Sequence, residues 1–292
     1  MERTVARLID RLESLPSHTG SMIITIFGDS IAPRGGAVAL RTVIDLCGAM
    51  ALGPGSVRTA ISRAAADGWL AASRRGRASF YRIAGPRRGE FVRAARHIFG
   101  PTRGAGATRL TLVLTEPGDQ REAARDRLTR LGFVAWQGVM LAPERPLPRA
   151  LAESLEVLQA EARPEVRRTL AARAWRLEPL AERYRDFVEA HAPLAEAAAR
   201  LTPLDAMLAR TLLVHDYRRI VLRDPRLPPA FLAPDWPGEA ARRLCRETYP
   251  RLLPAAETWL DRFGATEDGM LPPPETGLFA RFGAGGAASR PG

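Results

Sequence analysis

Residues 53–83 read GPGSVRTAISRAAADGWLAASRRGRASFYRI. Gly53-Pro54-Gly55 cannot continue a helix and Ser56 is a good N-cap, so a turn is predicted here, with a new helix starting at Ser56. At about 100° per residue, Val57, Ala60, Ile61 and Ala64 share one face, and Arg58, Thr59, Ser62, Arg63 and Ala66 share the other. The second face has two arginines and two hydroxyls but no carboxylate, which suits base edges and phosphates in a major groove. Gly68 stops the helix. Trp69–Ser73 and Ala78–Ile83 then read as two short strands around Arg74-Arg75-Gly76-Arg77, a β-wing with three guanidiniums at its tip. The competing reading is a solvated helix followed by a charged hairpin that binds nothing.

The charge distribution favours the binding reading. The 292-residue chain has a net charge of +11, and all 43 of its basic residues are arginine. Residues 1–100 hold 15 Arg against 7 Asp+Glu, and the remainder holds 28 against 25. A positive excess confined to one region is what phosphate neutralisation requires. Cys47 and Cys245 are too far apart in sequence and too few for a disulfide framework or a zinc set, so no metal is expected and both read as core thiols. With no leader and no apolar run near the roughly 20 residues of a membrane helix, a cytoplasmic location is expected.

Outward from this stretch, Val5, Leu8, Ile9, Leu12 and Leu15 make residues 1–15 an amphipathic helix, packed either on its own domain or on a partner subunit. Ser21–Asp29 and Leu40–Ala51 are the next two core helices. ITIFGDSI resembles the first block of GDSL-type hydrolases, which would make Ser30 a nucleophile. Such enzymes also need an Asn in the oxyanion hole and an Asp-x-x-His. The chain has no asparagine, and His18, His97, His191 and His215 never follow an Asp at that spacing. No catalytic residue is therefore assigned.

Residues 86–108 form a basic linker with a short helix over Glu90–Phe99, either extending the basic surface or merely solvated. Residues 109–173 alternate strand (RLTLVLT), charged helix (Gly118–Leu131) and further strands (within Phe133–Leu141, and Leu155–Gln159), the order of a small ferredoxin-like α+β domain. Residues 174–264 are helical, punctuated by Pro193, Pro203 and the proline-dense stretch Asp224–Pro237. Residues 265–292 read as a disordered tail. In the helical part, Tyr217, Arg218, Arg219, Arg223 and Trp236 place aromatic faces beside guanidiniums, which either hold an apolar anion or pack helices. The middle domain is expected to lack that combination, because Trp136 has no arginine near it in sequence.

The segments RGG (Arg34–Gly36), SVRTAISRAAADGWL and RRGRASFYRI resemble the winged-helix domain of the PaaX family, repressors of phenylacetate catabolism. TRLTLVLTEPGDQREAARDRLTRLGFVAWQGVMLAP is similar to that family's central domain, and HDYRRIVLRDPRLPPAFLAPDWPGEAARRL to its C-terminal signature. The resemblance covers residues 20–262. It implies a multidomain α+β protein: an N-terminal winged helix-turn-helix over 1–85, the ferredoxin-like middle and the helical C-terminal domain. It further implies a homodimeric, non-enzymatic repressor that binds double-stranded operator DNA, has no cofactor, and is released by an aryl-CoA thioester such as phenylacetyl-CoA. The DNA contacts carried over are Arg58, Thr59, Ser62 and Arg63 in the helix and Arg74, Arg75 and Arg77 in the wing. The effector candidates rest on chemistry alone, and the alternative class is an acyl-CoA-handling or hydrolytic enzyme with an incidental basic domain.

Overall fold

The structure is a computed structural model that describes residues 1–13, 19–101, 106–115 and 121–283. Leu15, His18 and Arg103 lie outside the described residues, as do residues 118–120 of the expected middle-domain helix and the last nine residues of the expected tail. The chain divides into two compact units rather than three: 1–101, 185–222 and 239–292 make the first, and 102–184 with 223–238 the second. The N-terminal segment and most of the C-terminal helices thus share one unit, and the middle segment is the other. The fold class is α+β, mostly helical, with small antiparallel sheets.

The first unit opens with α1 (Arg3–Glu13), which buries Val5, Leu8, Ile9 and Leu12 within its own chain. α2 (Thr19–Ile26) runs into a π-helical turn over Phe27–Ile31 and a 3₁₀ turn over Ala32–Arg34. Gly35 and Gly36 both take positive φ, which glycine adopts without strain, and turn the chain into β1 (Ala37–Ala39). α3 (Leu40–Gly48) and α4 (Pro54–Ala66) follow, then β2 (Leu70–Arg75), β3 (Ala78–Ile83) and α5 (Arg88–Phe99). α4 starts two residues before the predicted Ser56. Gly53 is its N-cap and Pro54 its first residue, where proline's fixed φ and missing N–H cost nothing. The sheet order is β1-β3-β2, and β1 is a strand the sequence reading did not anticipate.

The second unit is built on β4 (Leu110–Leu114), α6 (Arg121–Arg130), β5 (Val134–Trp136), β6 (Val139–Pro143), α7 (Arg149–Ser154) and β7 (Glu156–Ala160). Its sheet is antiparallel throughout, in the order β5-β6-β4-β7. α8 (Pro164–Ala174), not foreseen, adds buried Ala171 to a cluster with Leu110, Leu141 and Phe231. Arg167 from α8 donates to the carbonyls of Thr108 and Ala230, both at 2.9 Å, and holds the proline-rich 223–238 segment in place.

The chain passes back to the first unit within α9 (Leu177–His191), then continues through α10 (Leu194–Ala197), α11 (Pro203–Val221) and α12 (Pro237–Phe263). α11 is buried on nearly every side from Asp205 to His215, its polar residues included, and α1, α2 and α5 pack on it. The expected disordered tail is folded as far as Gly283. β8 (Ala265–Thr266) and β9 (Gly269–Met270) form a hairpin, and Leu271, Leu278 and Phe282 are buried. The composition misled because three of the segment's few apolar residues, Leu271, Leu278 and Phe282, are enough to dock it on the core. Cys47 and Cys245 are both buried, and burial pushes the Cys47 thiol up to about 12. Among the described residues there is no cluster of metal ligands, and no helix is long and apolar enough to cross a membrane.

Candidate nucleic-acid interface

The face of α4 that packs is anchored by Val57 and Ile61, both 0% exposed, with Ala64 beside them. Burying two such side chains stabilises the fold by about 1.5–3 kcal/mol each, which fixes the helix's rotation. Arg58, Thr59, Ser62 and Arg63 are consequently exposed, as the periodicity predicts. None of their side chains hydrogen-bonds to another described residue.

β2 and β3 join through Gly76-Arg77, with Gly76 at φ +59° in the first position of a two-residue connection. Only Arg77 sits in the turn. Arg74 and Arg75 are the last residues of β2, and being adjacent they point to opposite faces of the hairpin. All three are exposed. Arg75 is nevertheless engaged, because its guanidinium donates to the backbone oxygen of Glu267 at 2.7 Å. The Glu267 carboxylate accepts from Ser73 at 3.2 Å and from Arg82 at 3.4 Å. An acidic hairpin from the C-terminal end of the chain therefore sits against one face of the basic hairpin. Sequence reasoning missed Glu267 because it fell in the supposed tail, although Glu-Asp-Gly between Thr266 and Met270 is a hairpin signal.

The same unit contains a buried ionic cluster. Arg210 donates through Nε to Asp29 at 2.8 Å and through Nη1 to Glu257. Arg34 bonds Glu257 at 2.5 Å and Asp261 at 2.8 Å. Arg281 reaches Asp29 at 2.6 Å, and the Tyr249 hydroxyl donates to the same carboxylate at 2.8 Å. Burial disfavours the charge on Arg210, but Asp29, Tyr249 and Glu257 outweigh it and hold its pKa above the ordinary arginine value. Ser30 is 1% exposed and donates to Asp29 at 3.3 Å, so the GDSI block contributes to this ion cluster.

A family model for the PaaX-like protein matches residues 18–86, and one for the PaaX-like protein C-terminal domain matches residues 175–262. The Transcriptional repressor PaaX of Escherichia coli (strain K12) is 33% identical over 291 residues, covering 93% of this chain and 92% of that protein. The chain belongs to the PaaX family. Among solved structures, the uncharacterized protein Rv0674 from Mycobacterium tuberculosis is similar with a TM-score of 0.46 and 22% identity, covering 75% of this chain and 89% of that one.

In this PaaX-family chain the effector candidates do not form one cluster within a unit. Tyr217, Arg218 and Arg219 lie on α11 in the first unit, whereas Arg223 and Trp236 belong to the second. Tyr217 is 2% exposed and packs against the rings of Phe187 and Phe282. Arg218 donates to the Thr25 hydroxyl at 2.7 Å and to the carbonyl and hydroxyl of Ser21, each at 2.8 Å. Trp236 meets Tyr184 edge-on at 5.9 Å, and the Tyr184 hydroxyl donates to Asp224 at 2.8 Å. The middle segment does combine aromatic and guanidinium groups, contrary to the sequence reading. The Arg173 guanidinium lies 5.3 Å from the centre of the Trp136 ring, brought there by the unforeseen α8.

Proposed function

We propose that the chain is a winged-helix repressor of a phenylacetate-type catabolic operon, binding operator DNA through α4 and the β2–β3 hairpin. One observation carries this reading: the outward face of α4 presents Arg58, Thr59, Ser62 and Arg63 with no hydrogen-bond partner among the described residues, beside a basic antiparallel hairpin. Three helices followed by a hairpin whose inner strand also pairs with β1 is the arrangement a winged helix-turn-helix needs. The β4-α6-β5-β6-α7-β7 order with its β5-β6-β4-β7 sheet supports a ferredoxin-like reading of the second unit. α4 enters the major groove, and Arg74 and Arg77 reach the flanking phosphates. Arg75 joins them if it leaves Glu267. The protein works as a homodimer on a two-fold operator, and an aryl-CoA thioester, phenylacetyl-CoA or a relative, favours the state that does not bind DNA. The name of the Escherichia coli relative supports the repressor role.

The experiment selects duplex sites from a random library with the full chain, then titrates CoA thioesters against the selected operator while monitoring thioester hydrolysis. Expected are one enriched two-fold sequence and its release without turnover. No enrichment over non-specific DNA rejects the DNA reading, and steady hydrolysis replaces it with an enzymatic one.

A further inference from the structure

A cavity of about 430 Å³ in the first unit lies among α5, the turn from Gly28 to Gly36, and the segment Glu275–Arg281, within the size range of small-ligand sites. On the α5 side it is lined by Arg88, Phe91, Val92, Ala95 and Arg96, the positions one helix face presents, so an apolar centre is flanked by a guanidinium at either end. The two ends are about 12 Å apart along the helix at 1.5 Å per residue. Four glycines in the lining (Gly28, Gly35, Gly36 and Gly277) leave room that side chains would otherwise fill.

The charges in the wall are unequal in availability. Arg281 is committed to Asp29, and Glu275 is the single acid. Neither Arg88 nor Arg96 bonds a carboxylate among the described residues. An adjoining cavity of about 40 Å³ shares Gly28, Phe91 and Ala95 with the larger one and is also lined by Arg218. The partners of Arg218 are two hydroxyls and a carbonyl, with no ion pair among the described residues. Asp29 also lines this small cavity but is already bound by Arg210 and Arg281, so Arg218 is a largely buried cation with no carboxylate of its own among the described residues, which favours an anion there.

We propose that this cavity binds an amphipathic organic anion, an apolar ring or chain carrying acid or phosphate groups, with Arg88 and Arg96 flanking its apolar centre and Arg218 in the adjoining small pocket. The walls connect it to the DNA-facing hairpin. Gly36 accepts a hydrogen bond from the backbone of Ile83 at 3.0 Å, and both residues line the cavity where β1 meets the base of β3. An occupant that displaces this pair shifts the hairpin. That occupant's identity with the repressor's effector rests on the function proposed above, whereas the cavity does not.

Calorimetry on the full chain separates the two, with phenylacetyl-CoA, CoA alone, phenylacetate alone and the aromatic sulfonate 8-anilinonaphthalene-1-sulfonate as probes, and thermal melts to check folding. Gly277 lines the cavity and has nothing within 4 Å of an added Cβ, so Gly277→Leu tests occlusion and Arg96→Ala tests charge. Each is expected to weaken thioester binding about tenfold, the worth of one charge-assisted hydrogen bond, with Arg96→Lys partly restoring it. Equal thioester affinity in parent, Gly277→Leu and Arg96→Ala overturns the cavity while leaving the effector reading intact. If the parent binds no thioester, the effector reading fails and the sulfonate decides: loss of its binding in both variants upholds the cavity, and unchanged binding sinks it.

Discussion

On α4 the guanidiniums of Arg58 and Arg63 stand in solvent, whereas those of Arg34 and Arg210, in the same unit, are 1% and 0% exposed and end on carboxylates. The two sets are one residue type with opposite duties. An arginine without a partner can exchange water for a phosphate or a base edge, while a buried one must keep its carboxylate, because removing either partner strands a charge in a poor solvent. The basic surplus of the first hundred residues mixes both kinds, so net charge measures the surface only after the buried members are subtracted.

Breaking the buried set is expected to have the largest effect. Arg210→Ala removes the one guanidinium that both Asp29 and Glu257 share, and should cost about 3–5 kcal/mol, read as a lower denaturation midpoint in urea. Stability within about 0.5 kcal/mol of the parent would mean the cluster is not closed in solution. Next come the exposed pair: Arg58→Ala or Arg63→Ala should lose about 1–3 kcal/mol of operator affinity if the side chain reads a base, with an unchanged urea midpoint. Unchanged operator affinity in both variants would remove α4 as the reader.

The hairpin arginines sharpen the contrast because Arg75 stands between the classes. Replacing Arg74, Arg75 and Arg77 together should lower the slope of log affinity against log salt by about 0.9 for each phosphate that is no longer neutralised, for specific and random DNA alike. A slope equal to the parent's would show that the hairpin does not touch the backbone. The smallest effect concerns Glu267→Gln, which removes the carboxylate charge facing Arg82. Non-specific DNA affinity should rise within about threefold at low salt and return to parental at high salt. A fall instead would mean that Glu267 holds the hairpin in its binding geometry.

The legible parts of the molecule were those set by neighbours in sequence. The 3.6-residue period assigned the two faces of α4 residue by residue, and the alternating apolar runs located β4, β6 and β7. What escaped depends on long-range partners: Asp29 meets Arg210 across 181 residues and Arg281 across 252, and no local pattern records such a pairing. For the same reason GDSI resembles a catalytic block in sequence when it is an ion-pair anchor in the fold, and Arg173 could not be placed beside Trp136. β1 escaped because three residues between a glycine turn and a helix are too short for a period to show. The tail was misjudged because its order comes from Arg281 and Phe282 docking into a core assembled elsewhere.

That docking bears on how the protein is made. Translation at roughly 5–20 residues per second delivers Asp29 long before Arg281, leaving on the order of 10–50 seconds in which the carboxylate has emerged without its last cation. Through most of that interval α11 and α12 are also missing, so α2 to α4 and the β2–β3 hairpin, made before them, have no finished core to fold on. A chain cut short before residue 281 should therefore yield no independent DNA-binding fragment. Premature termination in this architecture is expected to leave the cell without a folded first unit.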